Sequence, residues 1–358
     1  MRVAVAYEPG EPLVIEDLEP RPLGPRDVLV RIAASGICHT DLHVIAGRSP
    51  LKLPIVPGHE ACGTVEEAGA EVRRVRPGDR VLAAVSPACG ACWSCTNGMS
   101  NHCERGPGIL ATPRFDLPDG RDARAVCGCG SFAEAMVVDE ASLIAVETDL
   151  PDDQLALLGC GVTTGLGAAL VTAGVTPGAS VAVIGCGGVG QSVIQGAHIA
   201  GAATIVAVDP EASRRQAAVA VGATHTVDPG AGDPVAAVKD LTGGRGADFA
   251  FEVVGRPELM VQAWDMARIE GNVTLVGMPS VGETITLPAM SAVFSGKRLM
   301  GAAVGGAQIL RDIPRFIRLA ESGRLDLGSL VSRHIKLDEI NDGIDGLERA
   351  EGTRTVIV

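Results

Sequence analysis

Val181-Ala182-Val183-Ile184-Gly185-Cys186-Gly187-Gly188-Val189-Gly190 is the stretch that decides the fold. An apolar strand, Ser180 to Ile184, runs into G-x-G-G-x-G, and Val189 to Ala200 then reads as a helix. Glycines at these positions permit a tight turn, close approach of backbone to a pyrophosphate, and close packing of helix on strand. The new helix then points free N–H groups at the anion. Glycine-rich turns are common, so context carries the weight. Here Asp209 closes the next strand, Thr204 to Val208, 19 residues after Gly190. An acid in that place accepts hydrogen bonds from the adenosine ribose and repels a 2′-phosphate. The expected dinucleotide contacts are Gly185, Gly187, Gly188, Val189, Gly190, Asp209 and Val276. Arg214 joins them and, with Arg215, gives a 2′-phosphate something to pair with, but Asp209 favours NAD. The plainer reading of Asp209 is a helix cap before Pro210.

Outward from this turn the pattern continues in the same style. Strands are expected at Thr226-Val227, Asp248 to Val254 and Asn272 to Val276, with helices at Ser213 to Val221 and Leu259 to Ala267. Alternating strands and helices imply a parallel, doubly wound sheet with right-handed crossovers. The first 150 or so residues read differently, as short Val-rich runs such as Val28 to Ile32 and Arg80 to Ala83, broken by turns such as Pro77-Gly78-Asp79. That is an irregular β-rich domain. The tail carries helices near Ile313 to Ser322 and Leu337 to Leu347 and a closing strand that returns to the first domain. The fold class is α/β, with residues 1–161 and 304–358 in a β-rich domain and 162–303 in a doubly wound one.

A chain of 358 residues exceeds one ordinary core, in keeping with two domains. Its net charge of −13 argues against nucleic acid or an anionic membrane as partner. Neither a signal-peptide pattern nor an apolar run of transmembrane length appears, so a cytoplasmic protein is expected. Ten cysteines in a reducing compartment call for metal or chemistry rather than disulfides.

Four of them, Cys89, Cys92, Cys95 and Cys103, fall within 15 residues. Four thiolates so close together can close a tetrahedral zinc site with no open position, which is a structural metal. Free thiols at this density would oxidise. His102 lies inside the loop, yet four cysteines already complete the set. The remaining metal-type residues are dispersed: Cys38-His39-Thr40-Asp41-Leu42-His43, then Gly58-His59-Glu60, then Gly159-Cys160-Gly161. Spacing alone would not make a site of them. Cys62, Cys127, Cys129 and Cys186 read as packing residues.

With these motifs together, the chain resembles the medium-chain zinc alcohol dehydrogenases over nearly its whole length. Phe251-Glu252-Val253-Val254-Gly255-Arg256 and Gly352-Thr353-Arg354-Thr355-Val356 add to the likeness. The resemblance implies a GroES-like catalytic domain and an inserted Rossmann domain. It implies Cys38, His59 and Cys160 as catalytic zinc ligands, leaving one position open. Glu60 matches a residue near the metal, and Asp41 the carboxylate that orients the histidine. Thr40 matches the hydroxyl that takes the alcohol proton, and His43 the far end of a relay through the nicotinamide ribose. His39 and Arg354 match contacts to the cofactor pyrophosphate. Two zinc ions and NAD are the implied cofactors, an alcohol or aldehyde the substrate, and a homodimer the assembly, through an edge strand within Thr284 to Met300.

Three alternatives stay open. A thiol-dependent formaldehyde dehydrogenase would need a basic residue where Pro107 stands, unless Arg105 or Arg114 substitutes. A nicotinoprotein would keep its cofactor bound. A non-catalytic dinucleotide-binding relative would be expected to lack zinc ligands that are present here. Pocket positions by the same resemblance are Ser49, Val85, Gly108, Val126 and Val304, all small or medium, which predicts room for substrates larger than ethanol.

Overall fold

The computed structural model describes residues 1–358, which divide into two compact units. The first comprises residues 1–161, 308–323 and 327–358; the second, 162–307 and 324–326. Two short segments thus depart from the expected division. Gly305 belongs with the second unit because the Thr172 hydroxyl donates to its carbonyl at 2.9 Å. Asp326 is held there by Gln195, whose amide bonds both its N–H and its C=O.

The second unit is built on six parallel strands. Numbered along the chain as Ser180–Ile184, Thr204–Val208, His225–Val227, Ala247–Glu252, Ala267–Leu275 and Arg298–Gly301, they lie in the order 3-2-1-4-5-6. This is the dinucleotide-binding order, with the direction of strand addition reversing between the first and fourth strands. Val181, Val183, Ile205, Ala207 and Phe251 pack one face; Ala182, Ile184, Val206, Val208 and Ala250 pack the other. Strands buried on both faces read as continuous apolar runs, which is why periodicity located them. Helices fall where expected, at Gly188–Ile199, Ala212–Ala220 and Pro257–Met266, and one more, Pro234–Leu241, is capped by Asp233 and opened by a proline. The strand expected to reach Val254 stops at Glu252, for a reason given below.

The first unit centres on a seven-stranded sheet in which Asp27–Gly36 pairs with Glu60–Ala68, Ala135–Asp139 and the C-terminal Arg354–Ile357. The expected return of the tail is therefore a strand pairing, Val356 opposite Gly36. That pairing and the one between Gly36 and Glu60 bring Cys38, Glu60 and Arg354 to one end of the sheet. No single helix is long and apolar enough to cross a membrane.

Candidate active site and metal centres

The dispersed residues converge. Ligand atoms of Cys38, His59, Glu60 and Cys160 all lie within 4.8 Å of one another. Cys38 is the N-cap of the short helix His39–Ile45, and Asp41, three residues on, turns inward with both oxygens engaged. Its Oδ2 accepts from the Cys38 amide at 3.3 Å, and its Oδ1 from the Gly58 amide at 2.8 Å and from His59 Nδ1 at 3.0 Å. A carboxylate only accepts, so Nδ1 carries the proton and Nε2 presents a lone pair. That Nε2 is buried and has no hydrogen-bond partner, a costly state unless a cation takes it. Two thiols and this imidazole are the donor set of a catalytic zinc. A hydrogen bond from Cys160, helped by the charges of His59 and Arg354 and opposed by burial, holds Cys38 well below the usual thiol range. The residues therefore fit the metal.

Glu60 is fully buried, and burial pushes its carboxyl up to about 7, against the pull of Arg354. Its Oε1 accepts from the Gly161 amide at 2.9 Å and faces Arg354 Nη2 at 3.5 Å, while Oε2 has no partner. Arg354 also donates to the Ile37 carbonyl at 3.3 Å and is only 4% exposed. It is thus tied to Glu60 and the candidate ligand cluster, a link its matched role as a pyrophosphate contact did not include. Thr40 and His43 are half-buried three residues apart on one face of their helix, and His39 is exposed at its start.

The four-cysteine loop closes on itself. Its sulfurs also lie within 4.8 Å of one another, with Cys89–Cys95 and Cys92–Cys103 at 3.9 Å. A tetrahedron with Zn–S bonds of ~2.3 Å has edges of about 3.8 Å, so the loop fits zinc. Amides of Cys89, Ala91 and Cys95 each approach a sulfur at 3.5 Å, supporting thiolate charge. The Cys95 amide leads the causes that bring Cys92 down to about 6. His102 is not part of this group.

In the second unit the glycine turn joins the strand Ser180–Ile184 to the helix Gly188–Ile199. A Cβ on Gly190 would run into the Gly185 carbonyl, whereas one on Gly187 would meet nothing within 4 Å. Gly190 is there for packing, and Gly187 leaves open space above the turn. Gly187 also caps the following helix without a side chain, so the first N–H groups stay available to an anion. Asp209, buried at the end of its strand, accepts from the Cys186 amide at 2.7 Å and the Glu211 amide at 2.9 Å. The two arginines separate in role. Arg215 is spent on the carbonyls of Asp209 and Pro210 and on Asp228. Arg214 keeps a buried, unpartnered Nε. Burial raises the Cys186 thiol, and Arg214 lies near enough to pull against that rise. Val276 is half-buried at its strand end, its amide donating to the Glu252 carbonyl at 2.8 Å.

Two expectations are changed by these surroundings. Arg114 is 3% exposed and paired with Asp27 at 2.8 Å, so it is not free to grip a thiol's carboxylate. Val126 is fully buried among Ile37, Ile55 and Phe132, which makes it core rather than channel wall.

Comparison with known proteins agrees with this geometry. Residues 24–148 match the alcohol dehydrogenase GroES-like domain, and residues 188–322 match the zinc-binding dehydrogenase domain. An S-(hydroxymethyl)glutathione dehydrogenase of Photobacterium damsela subsp. piscicida is 38% identical over 99% of each chain. An NDMA-dependent alcohol dehydrogenase of Amycolatopsis methanolica is 36% identical over 100% of this chain and 98% of its own. The crystal structure of benzyl alcohol dehydrogenase from Acinetobacter calcoaceticus superposes with a TM-score of 0.93 at 32% identity, covering 99% of this chain and 98% of its own. The chain belongs to the medium-chain zinc alcohol dehydrogenase family, and it is an oxidoreductase.

Proposed function

We propose that this enzyme oxidises medium-sized or aromatic primary and secondary alcohols, reversibly, with NAD as hydride acceptor and two zinc ions per chain. The observation that carries the reading is the convergence of buried Cys38 and His59 with half-buried Cys160, with Asp41 fixing the His59 tautomer. Zinc held there supplies Lewis-acid stabilisation of negative charge on the substrate oxygen, worth several kcal/mol. Thr40 Oγ1 takes the alcohol proton, and His43 passes it to solvent. Asp41 keeps the imidazole oriented throughout, and the Glu60–Arg354 pair balances charge beside the thiolates. In the second unit the glycine turn at residues 185–190 and the helix N-terminus hold the pyrophosphate, with Asp209 and Arg214 at the adenosine ribose. Hydride acceptance is the cofactor's own chemistry.

The test is turnover across an alcohol series, with and without a low-molecular-weight thiol. Small side chains at Ser49, Val85 and Gly108 in the first unit suit an apolar substrate, and each buried methylene contributes about 0.8 kcal/mol. Efficiency should rise more than ~10-fold from ethanol to hexanol or benzyl alcohol without thiol, by that same burial. A profile that peaks at ethanol sinks this substrate class. Strict thiol dependence would instead favour the activity of the Photobacterium relative, against the pairing of Arg114 with Asp27.

Cofactor preference has its own test. Because Asp209 holds the Cys186 and Glu211 amides on its two oxygens, Asp209→Gly would lose both bonds, and Asp209→Asn, which keeps one acceptor, disturbs the turn less. It should narrow the NAD-over-NADP ratio of kcat/KM by at least ~10-fold, about 1.4 kcal/mol. An unchanged ratio would show that Asp209 does not set the preference.

We also propose a homodimer in the cytoplasm. Arg298–Gly301 is an open sheet edge, flanked by Met290, Val293 and Phe294, each at least 70% exposed. A second copy pairing strand to strand would cover both, since such edges invite a partner. Sedimentation at the mass of one chain, at micromolar concentration, would overturn it.

A further inference from the structure

Glu252 lies at the carboxyl end of the fourth parallel strand, fully buried, and no motif gave it a task. Its side chain folds back on its own chain. Oε1 accepts from the amides of Val254 at 2.9 Å, Gly255 at 2.7 Å and Arg256 at 3.4 Å, and this ends the strand two residues before its apolar sequence does. Oε2 is buried and has no partner. Burial pushes the carboxyl up, against those three amides.

The backbone of the same residue holds two further turns. Its carbonyl accepts from Val276 at 2.8 Å and Gly277 at 3.1 Å. Val253, next in line, donates to the Ile184 carbonyl at 3.0 Å, directly before Gly185. The turns are also interlocked by contact. A Cβ on Gly277 would strike the Gly255 amide, and a Cβ on Gly185 would strike the Val254 side chain. Three strand ends that face the dinucleotide crevice of this topology therefore share one anchor.

We propose that Glu252 is a positioning residue for the cofactor: its buried carboxylate sets the turn at residues 253–256, and so the surface that this turn and residues 185–190 and 276–278 offer to the dinucleotide. This rests on the reading that the second unit binds a dinucleotide, which NADH titration of the unaltered enzyme tests separately. A carboxylate suits the place because one oxygen collects three converging amides, which no apolar side chain could do.

The experiment compares Glu252→Ala and Glu252→Gln with the unaltered holoenzyme by NADH fluorescence titration, steady-state kinetics and amide hydrogen exchange. Glu252→Ala should weaken NADH binding at least ~10-fold, about 1.4 kcal/mol, with the loss larger in KM for the cofactor than in kcat. Exchange at Val254, Gly255 and Arg256 should quicken. Glu252→Gln, which keeps an oxygen for the amides, should stay within ~3-fold of the unaltered affinity, under about 1 kcal/mol. Unchanged NADH affinity in the alanine variant overturns the proposal, and so does a glutamine variant as weak as alanine. If alanine does not fold, Glu252→Asp carries the test. Its carboxylate stops one methylene short of the amides, so faster exchange with normal NADH affinity would also overturn the proposal.

Discussion

Cys38→Ser should leave one zinc per chain instead of two and cut kcat/KM by roughly 10³-fold or more, the size of a lost Lewis acid. A hydroxyl is a poor substitute for thiolate toward zinc, while serine is close to cysteine in volume, so the fold should persist. The variant isolates the metal from the packing because Asp41 still holds His59 and the Gly58 amide. His59→Ala should match it in activity but lose more stability, since Asp41 would then be a buried acid short of one partner. Elemental analysis, melting temperature and initial rates together decide. A Cys38→Ser enzyme that keeps a tenth of its activity, or an unaltered enzyme with a single zinc, would refute the assignment.

Cys95→Ser should have the opposite profile. Its sulfur is 3.9 Å from Cys89, and its amide supports the Cys92 thiolate, so losing one ligand opens a site that has no open position to spare. Structural zinc contributes folding energy directly, and its loss should lower the melting temperature by roughly 10 °C, with aggregation. Residual soluble enzyme should retain its catalytic zinc and turn over at near-normal rate per bound metal. A melting temperature within about 2 °C of the unaltered enzyme would mean that the loop folds without metal.

How far the sequence could be read followed the length scale of each feature. The glycine turn and the four-cysteine loop were legible because each is closed by residues a few positions apart, where spacing is geometry. The parallel strands were legible because burial on both faces leaves unbroken apolar runs, such as Ile205-Val206-Ala207-Val208. The candidate catalytic cluster was not legible from spacing. Cys38 and His59 are brought together by strand pairing and Cys160 by the bond of the Gly161 amide to Glu60, and only the resemblance joined the three. The Glu60–Arg354 pair spans still more of the chain and left no local signal. The strand ending at Glu252 was overrun because Val253 and Val254 continue the apolar run, while the stop is a side-chain hydrogen bond. Pro234–Leu241 was missed although Asp233 before Pro234 is a helix-start signal.

The Glu60–Arg354 contact also sets an order of events during synthesis. The four-cysteine loop is complete once Cys103 has left the ribosome. Cys38, His59 and Cys160 of the other cluster are also synthesised early, but its buried arginine follows about 190 residues after Cys160. At ~5–20 residues per second that is roughly 10–40 s of translation. Through that interval Glu60 is without its countercharge and the strand Arg354–Ile357 is absent from beside Asp27–Gly36. The nascent chain holds its whole four-cysteine loop early, whereas Glu60 gains its partner only once Arg354 has emerged.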